Sequence, residues 1–191
     1  MARWSALLLA SCVWLSGCAS IWRVDSDVQS FSTLGAVSPG TAIRFDRLPS
    51  QQADPATQNA LEALAAPALA QVGLVPGPAP RFSVELGIQT LVIYPDTGRW
   101  GPGPLWYGPG RWGWPGRPQL WMPEPTRYQH QLKVVLRAVD GGQVVFESQA
   151  VHEGFGGRID DVLPAMFQAA LQGFPNPPAG LRTVSIQPPQ H

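Results

Sequence analysis

The chain has 191 residues and no formal net charge, with 13 basic and 13 acidic side chains. Lysine is nearly absent, so the composition argues for neither a nucleic-acid partner nor an anionic substrate. Apolar content is ordinary for one domain, and the 21 Pro and 20 Gly are clustered, which points to loops inside a globular frame rather than to general disorder.

Arg3 precedes an apolar run from Trp4 to Trp14. The run is too short to span a bilayer and reads as a secretory leader. It ends in Leu15-Ser16-Gly17-Cys18, which resembles the lipobox of bacterial lipoproteins. The resemblance implies that Cys18 becomes the acylated N-terminus. Leu9-Ala10-Ser11-Cys12 also fits the box. Cleavage before Cys12, however, leaves an apolar core below the roughly seven residues a leader needs. The expected organisation is a signal peptide over 1–17, a lipidated tether over 18–21, one domain over 22–174 and a Pro-rich tail over 175–191. Cys12 then leaves with the leader and Cys18 is acylated. No thiol remains for a disulfide, a metal or a nucleophile. Diacylglyceryl and N-acyl chains together hold far more firmly than one chain. Ala19 and Ser20, not Asp, follow Cys18, which by the same resemblance implies the outer membrane, on its periplasmic face.

Trp22 to Val28 reads as a short strand with Val24 and Val28 on one face. Ser38-Pro39-Gly40 is a turn signal. Thr41 to Leu48 alternates, with Ile43 and Phe45 opposite Arg44 and Asp46. Asp54-Pro55 predicts an N-cap followed by Pro at the first helical position. Leu61, Leu64, Ala65, Ala68 and Val72 give a helical stripe. Pro67 predicts a kink within it, and Gly73 a C′ stop.

Arg81 to Tyr94 alternates as a long strand, with Phe82, Val84, Leu86, Ile88 and Val92 on one face. Arg127 to Val139 is a second, with Tyr128, His130, Leu132, Val134 and Leu136 together. Asp140-Gly141-Gly142 predicts a three-residue hairpin turn, and Gln143 to Glu153 the returning strand. That turn pairs Val139 with Gln143, Leu136 with Phe146 and Leu132 with Ala150. A one-residue slip would exchange faces. Asp160 and Asp161 open a second helix with Pro164 in its first turn and Gly173 at its end. Thr183 to Ile186 is a short extended piece. Strands apolar on one face only imply an antiparallel sheet wet on one side. The expected fold is an α+β two-layer sandwich: an antiparallel sheet of about five strands, two helices on one face, order ββαβββα.

Residues 95–126 form an insert holding eight Pro, seven Gly and five of the eight Trp. Gly101-Pro102, Gly103-Pro104, Gly108-Pro109 and Pro115-Gly116 forbid a helix or a sustained strand. Trp100, Trp106, Tyr107, Trp112, Trp114 and Trp121 are the candidate interaction surface. They could fold back as a lid on the wet face, sit at a membrane interface, or meet a partner or glycan. If successive elements run antiparallel, the insert lies at the lipid end. A tether of Ala19 to Ile21 reaches at most ~10 Å, which keeps the domain close to the bilayer.

Catalytic patterns are absent. The predicted register sets His130 opposite His152, with Glu153 near, but a zinc site wants three or four protein ligands. No metal or cofactor is expected. Asp160-Asp161 is explained by capping and the helix dipole. No GxSxG, P-loop or dinucleotide fingerprint occurs, and Gly154-Phe155-Gly156-Gly157 reads as a strand-to-helix loop.

Two segments carry a family resemblance. Phe45-Asp46-Arg47-Leu48-Pro49-Ser50-Gln51-Gln52 resembles the motif before the first helix in the DUF4136 family of bacterial lipoproteins. Val162-Leu163-Pro164-Ala165-Met166-Phe167 through Gly173-Phe174-Pro175-Asn176-Pro177-Pro178 resembles its C-terminal signature. A Gly/Trp-rich insert between central strands is also typical of it. The family is a domain of unknown function and supplies no catalytic residues. The expected function is therefore non-enzymatic: an outer-membrane lipoprotein contacting membrane or envelope partners through its aromatic loop. The alternative is a lipid- or glycan-binding carrier in envelope transport. A dry groove lined by Leu64, Met166 and Phe167 would mark the carrier.

Overall fold

The structure, a computed structural model, describes residues 22–94, 125–155 and 158–188. Its elements in chain order are β1 (Val24–Ser32), β2 (Thr41–Asp46), α1 (Pro49–Gln52), α2 (Pro55–Gln71), β3 (Leu74–Pro76), β4 (Phe82–Ile93), β5 (Arg127–Ala138), β6 (Val144–Gly154), α3 (Ile159–Leu171) and β7 (Arg182–Ile186). The strands form one mixed sheet in the order β3-β2-β4-β5-β6-β1-β7. Seven strands and three helices replace the expected five and two. The fold is α+β, but the sheet is not wholly antiparallel.

The departure lies around β2, which pairs in parallel with β3 on one side and β4 on the other. Its origin is simple. Helix α2 carries the chain back to the end where β2 began, so the strand after the helix must run in β2's direction. β3 covers Thr41 to Ile43 and β4 covers Ile43 to Asp46. The two are successive stretches of one path that steps across β2 between them. Gly77 donates to the Ile43 carbonyl (3.1 Å) and Arg81 to the Ala42 carbonyl (2.8 Å) during the step. A Cβ on Gly77 would stand 3.0 Å from that of Ala42, so the crossing needs two small residues. Alternation reports which face a side chain takes, not which way its strand runs. A three-residue strand ending in Pro shows no alternation at all.

Along the antiparallel part the expected faces are found. The β5–β6 ladder pairs Leu136 with Phe146, Leu132 with Ala150 and His130 with His152. A bulge between Leu136 and Arg137 shifts the turn end, so Arg137 meets Val144, and Val139 instead donates to Arg81 (3.0 Å). The expected Val139–Gln143 pair does not form.

Helix α2 starts at Pro55 with Asp54 as N-cap, the Thr57 N–H donating to its Oδ1 at 3.3 Å. It buries Leu61, Ala65, Ala68 and Leu69 and continues past Pro67 to Gln71. Gly73, at φ +82°, turns the chain into β3. Helix α3 begins at Ile159 rather than at the Asp pair. Asp160 and Asp161 sit in its first turn without capping it, where they favour the helix dipole. Pro164 therefore falls in the second turn, and the Asp160 carbonyl loses its helical donor.

The core lies between the sheet and α2 and α3. Leu163, Met166, Phe167, Ala170 and Leu171 meet Val28, Leu132, Leu136, Phe146 and Ala150. Small residues under α3 let it approach closely. Ser148 donates to the Ala170 carbonyl (2.7 Å) and shares a hydrogen bond with Ser30 (2.9 Å). Arg182 of β7 donates to the Gln172 carbonyl (3.0 Å) and to Ser30 (3.2 Å). Carbonyls that the helix end leaves unpaired are thus met by the sheet.

Two outcomes are expected. Ser148→Ala leaves the Ala170 carbonyl buried without this donor and should cost about 1–3 kcal/mol in urea unfolding. The hydrogen bonds from Thr57 hold Asp54 below its ordinary pKa near 3.8. A depressed folded-state pKa stabilises above the unfolded value, and that contribution is lost as pH falls through the folded one. Asp54→Ala should therefore lower the urea midpoint at neutral pH, and the gap from the unsubstituted chain should narrow below about pH 4.

Candidate functional site: the open end of the sheet

The residues singled out by sequence lie outside the described residues. These are Leu15, Ser16, Gly17 and Cys18 in the lipobox, and Trp100, Trp106, Tyr107, Trp112, Trp114 and Trp121 in the insert. What the structure supplies is the frame that carries them.

The ladders bring the relevant chain ends together. Val92 pairs with Tyr128, and Tyr128 with Gly154. β6 pairs Val151 with Asp27, which sets the start of β1 beside the end of β6. Trp22 before β1, Tyr94 after β4 and Pro125 before β5 therefore share one end of the sheet. β2 and β4 both run toward this end.

This end is unusually apolar. Six of the eleven exposed large hydrophobic side chains among the described residues stand here: Trp22, Leu91, Val92, Ile93, Tyr94 and Phe155. Trp22, Tyr94 and Phe155 are 51%, 76% and 64% exposed. The Arg127 guanidinium lies 5.4 Å from the Phe155 ring centre, so a cation covers one aromatic face. Sequence periodicity missed this cluster. It treats Leu91 to Tyr94 as strand alternation, although this end of β4 is exposed on both faces.

A second group faces away from the core. Asp25 and Asp27 of β1 accept from Ser185 and Thr183 of β7 (2.5 and 2.7 Å), and Gln129 donates to Glu153 (2.9 Å). The acids are thereby tied into cross-strand pairs. No group of three or more metal-ligating side chains occurs among the described residues. Two depressions mark this open face. One, of about 350 Å³, lies over Gly87 among Gln89, Gln131, Lys133 and Gln149. The other, of about 260 Å³, lies among Asp25, Asp27, Gln129 and Glu153.

On the core face His130 and His152 stand opposite, as the register predicts, with ring centres 6.5 Å apart. His130 is 1% exposed, and its Nδ1 shares a hydrogen bond with Thr90 Oγ1 (2.9 Å). His152 Nδ1 meets the Asp25 carbonyl (2.7 Å). The Thr90–His130 contact pairs a hydroxyl with an imidazole, as nucleophile and base do. It joins two residues directly opposite in the β4–β5 ladder and holds the strands together where helix cover ends. Of Leu64, Met166 and Phe167, expected to line a carrier groove, Met166 and Phe167 are fully buried and Leu64 is half-buried against the same core. Between sheet and helices they fill the core.

The two motif segments resolve into corners. Arg47 makes a bidentate pair with Glu62 (2.6 and 2.7 Å) and donates to Asn59 (2.7 Å). The carboxylate bond raises the Arg47 pKa above its usual value. Gln51 accepts from Leu48 N–H (2.9 Å) and donates to the Leu86 carbonyl (2.6 Å), while Gln52 donates to the Arg47 carbonyl (2.9 Å). At the other corner the Phe174 ring meets Phe146 edge-on at 5.1 Å. A Cβ on Gly173 would stand 3.2 Å from Pro177.

No family model matches the chain, and no curated protein does. Among solved structures it is similar to a PDZ domain protein from Parabacteroides distasonis, with TM-score 0.53 and 13% identity over 93% of this chain. The chain spans 42% of that protein's length, and the likeness concerns the fold alone. It is also similar to the PelC dodecamer from Paraburkholderia phytofirmans, with TM-score 0.45 and 14% identity over 76% of this chain and 94% of that one. A single-residue variant of the same PelC gives TM-score 0.43 and 13% identity over the same shares.

Thr90→Val is expected to cost about 1–3 kcal/mol in urea unfolding, because a buried imidazole nitrogen loses its partner. Added zinc should leave the melting temperature unchanged; a rise would show that the paired histidines hold metal.

Proposed function

We propose that this protein is a lipid-anchored, non-enzymatic envelope protein of the DUF4136 type. Its acylated Cys18 holds it at the periplasmic face of the outer membrane, and the open end of its sheet contacts the membrane or an envelope partner. One observation carries the reading. Trp22, four residues after Cys18, shares a sheet end with both stems of the Trp-rich insert, Tyr94 and Pro125. The aromatic residues of the stems, with Arg127 beside Phe155, form the mixture that membrane interfaces favour: rings at headgroup level and cations nearby. No helix among the described residues is long and apolar enough to cross a membrane. In this reading attachment rests on the acyl chains and on interfacial contact.

The filled core weighs against the carrier alternative. A lipid carrier would need space where Met166 and Phe167 stand, and both are closed off from solvent.

Two measurements test the proposal. Cells making the chain with Cys18→Ala should release it from the membrane fraction and lose palmitate labelling of it. Tryptophan emission of a form lacking the anchor should shift to the blue on adding anionic vesicles. Emission unchanged by vesicles would remove membrane contact from the reading and leave a protein partner.

A further inference from the structure

A strand edge is a row of unpaired N–H and C=O groups, which another strand can use. β4 is paired with β5 along its whole length, from Phe82↔Ala138 to Ile93↔Arg127. On its other side β2 reaches only to Asp46↔Glu85. The Gln51 side chain then takes the Leu86 carbonyl. Beyond it no described residue pairs with the edge.

Backbone parity identifies the exposed groups. Val139 N–H donates to the Arg81 carbonyl, so the odd-numbered residues of β4 turn their backbone groups toward β5. The Gln51–Leu86 contact shows that even-numbered ones turn the other way. The N–H and C=O of Ile88, Thr90 and Val92 therefore face the open edge. Among the described residues no backbone hydrogen bond reaches them there.

Edges are ordinarily blunted by Lys, Pro, a bulge or a covering loop. Leu86 to Tyr94 reads Leu-Gly-Ile-Gln-Thr-Leu-Val-Ile-Tyr, with neither charge nor Pro. Its ladder with β5 has no register shift, and Leu91, Val92 and Ile93 are each 40–42% exposed. Such a segment needs cover. The described residues supply none. A second copy of the same edge meets every requirement. It has strong strand formers, it opposes no like charges, and one strand serves both sides of a two-fold axis.

We propose that the open edge of β4 pairs antiparallel with the same edge of a second copy, about a two-fold axis near Leu91, joining two sheets into one. Thr90 and Val92 then exchange hydrogen bonds with the partner copy, and Leu91 side chains meet across the axis. The proposal does not depend on the membrane reading.

The test uses the full-length chain purified in detergent. Thr90→Cys, Leu91→Cys and Val92→Cys are oxidised separately. At least one should give a disulfide-linked homodimer on a non-reducing gel, while Gln149→Cys, on the middle of the open face, and the unsubstituted chain give none. Val92→Pro removes an edge donor that the β4–β5 ladder does not use. It should halve the protein mass measured by light scattering with an unchanged circular dichroism spectrum. An unsubstituted chain that is monomeric at tens of micromolar would overturn the proposal. So would a dimer that survives Val92→Pro, or three edge cysteines that never crosslink.

Discussion

The close seat of α3 on the central strands is the contact on which the rest of the structure depends. Phe167, Met166 and Leu171 close the core, and Ser148 and Arg182 bind the carbonyls at the helix end. A helix end buried against a sheet needs such donors. They come from β6 near the middle of the sheet and from β7 at its margin. The helix therefore couples the inner strands to β7, which is otherwise a short strand held by one neighbour. Other contacts fasten the rest: α2, which also packs against α3, is held by Arg47 on Glu62, and the flank of β4 beyond β2 is met by Gln51.

Both motif segments do the same kind of work. Phe45 to Gln52 ties β2, α1, α2 and β4 through Arg47, Gln51 and Gln52. Gly173 to Pro178 ends α3 and packs against Phe146. Polar residues in a fixed pattern can suggest a site. Here Arg47, Gln51 and Gln52 each have a fold partner within hydrogen-bond reach.

Much of the fold was legible in the sequence, for physical reasons. A sheet with one dry face forces period-two alternation, so β4, β5 and β6 and their register could be read from Leu136, Phe146 and Ala150. The Asp54-Pro55 start and Gly73 stop of α2 are backbone chemistry, and they too were legible. Strand direction was not, because parallel and antiparallel strands bury the same residues. β3 was missed because Leu74-Val75-Pro76 is too short to alternate. The apolar end was half legible. The insert declared itself by composition, but the exposure of Leu91 to Tyr94 on both faces depends on what packs over the strand in space.

The position of β1 has a mechanical consequence. It lies between β6 and β7, antiparallel to both, and Trp22 stands at its outer end. A pull on Trp22 along the strand loads the hydrogen bonds of two ladders at once, in shear. A strand at a sheet margin pulled sideways would instead release one bond at a time. Resistance to force is a matter of unfolding rate rather than equilibrium stability. A domain held by its first strand in this way is built to stay folded when its N-terminus is fixed and the rest is dragged.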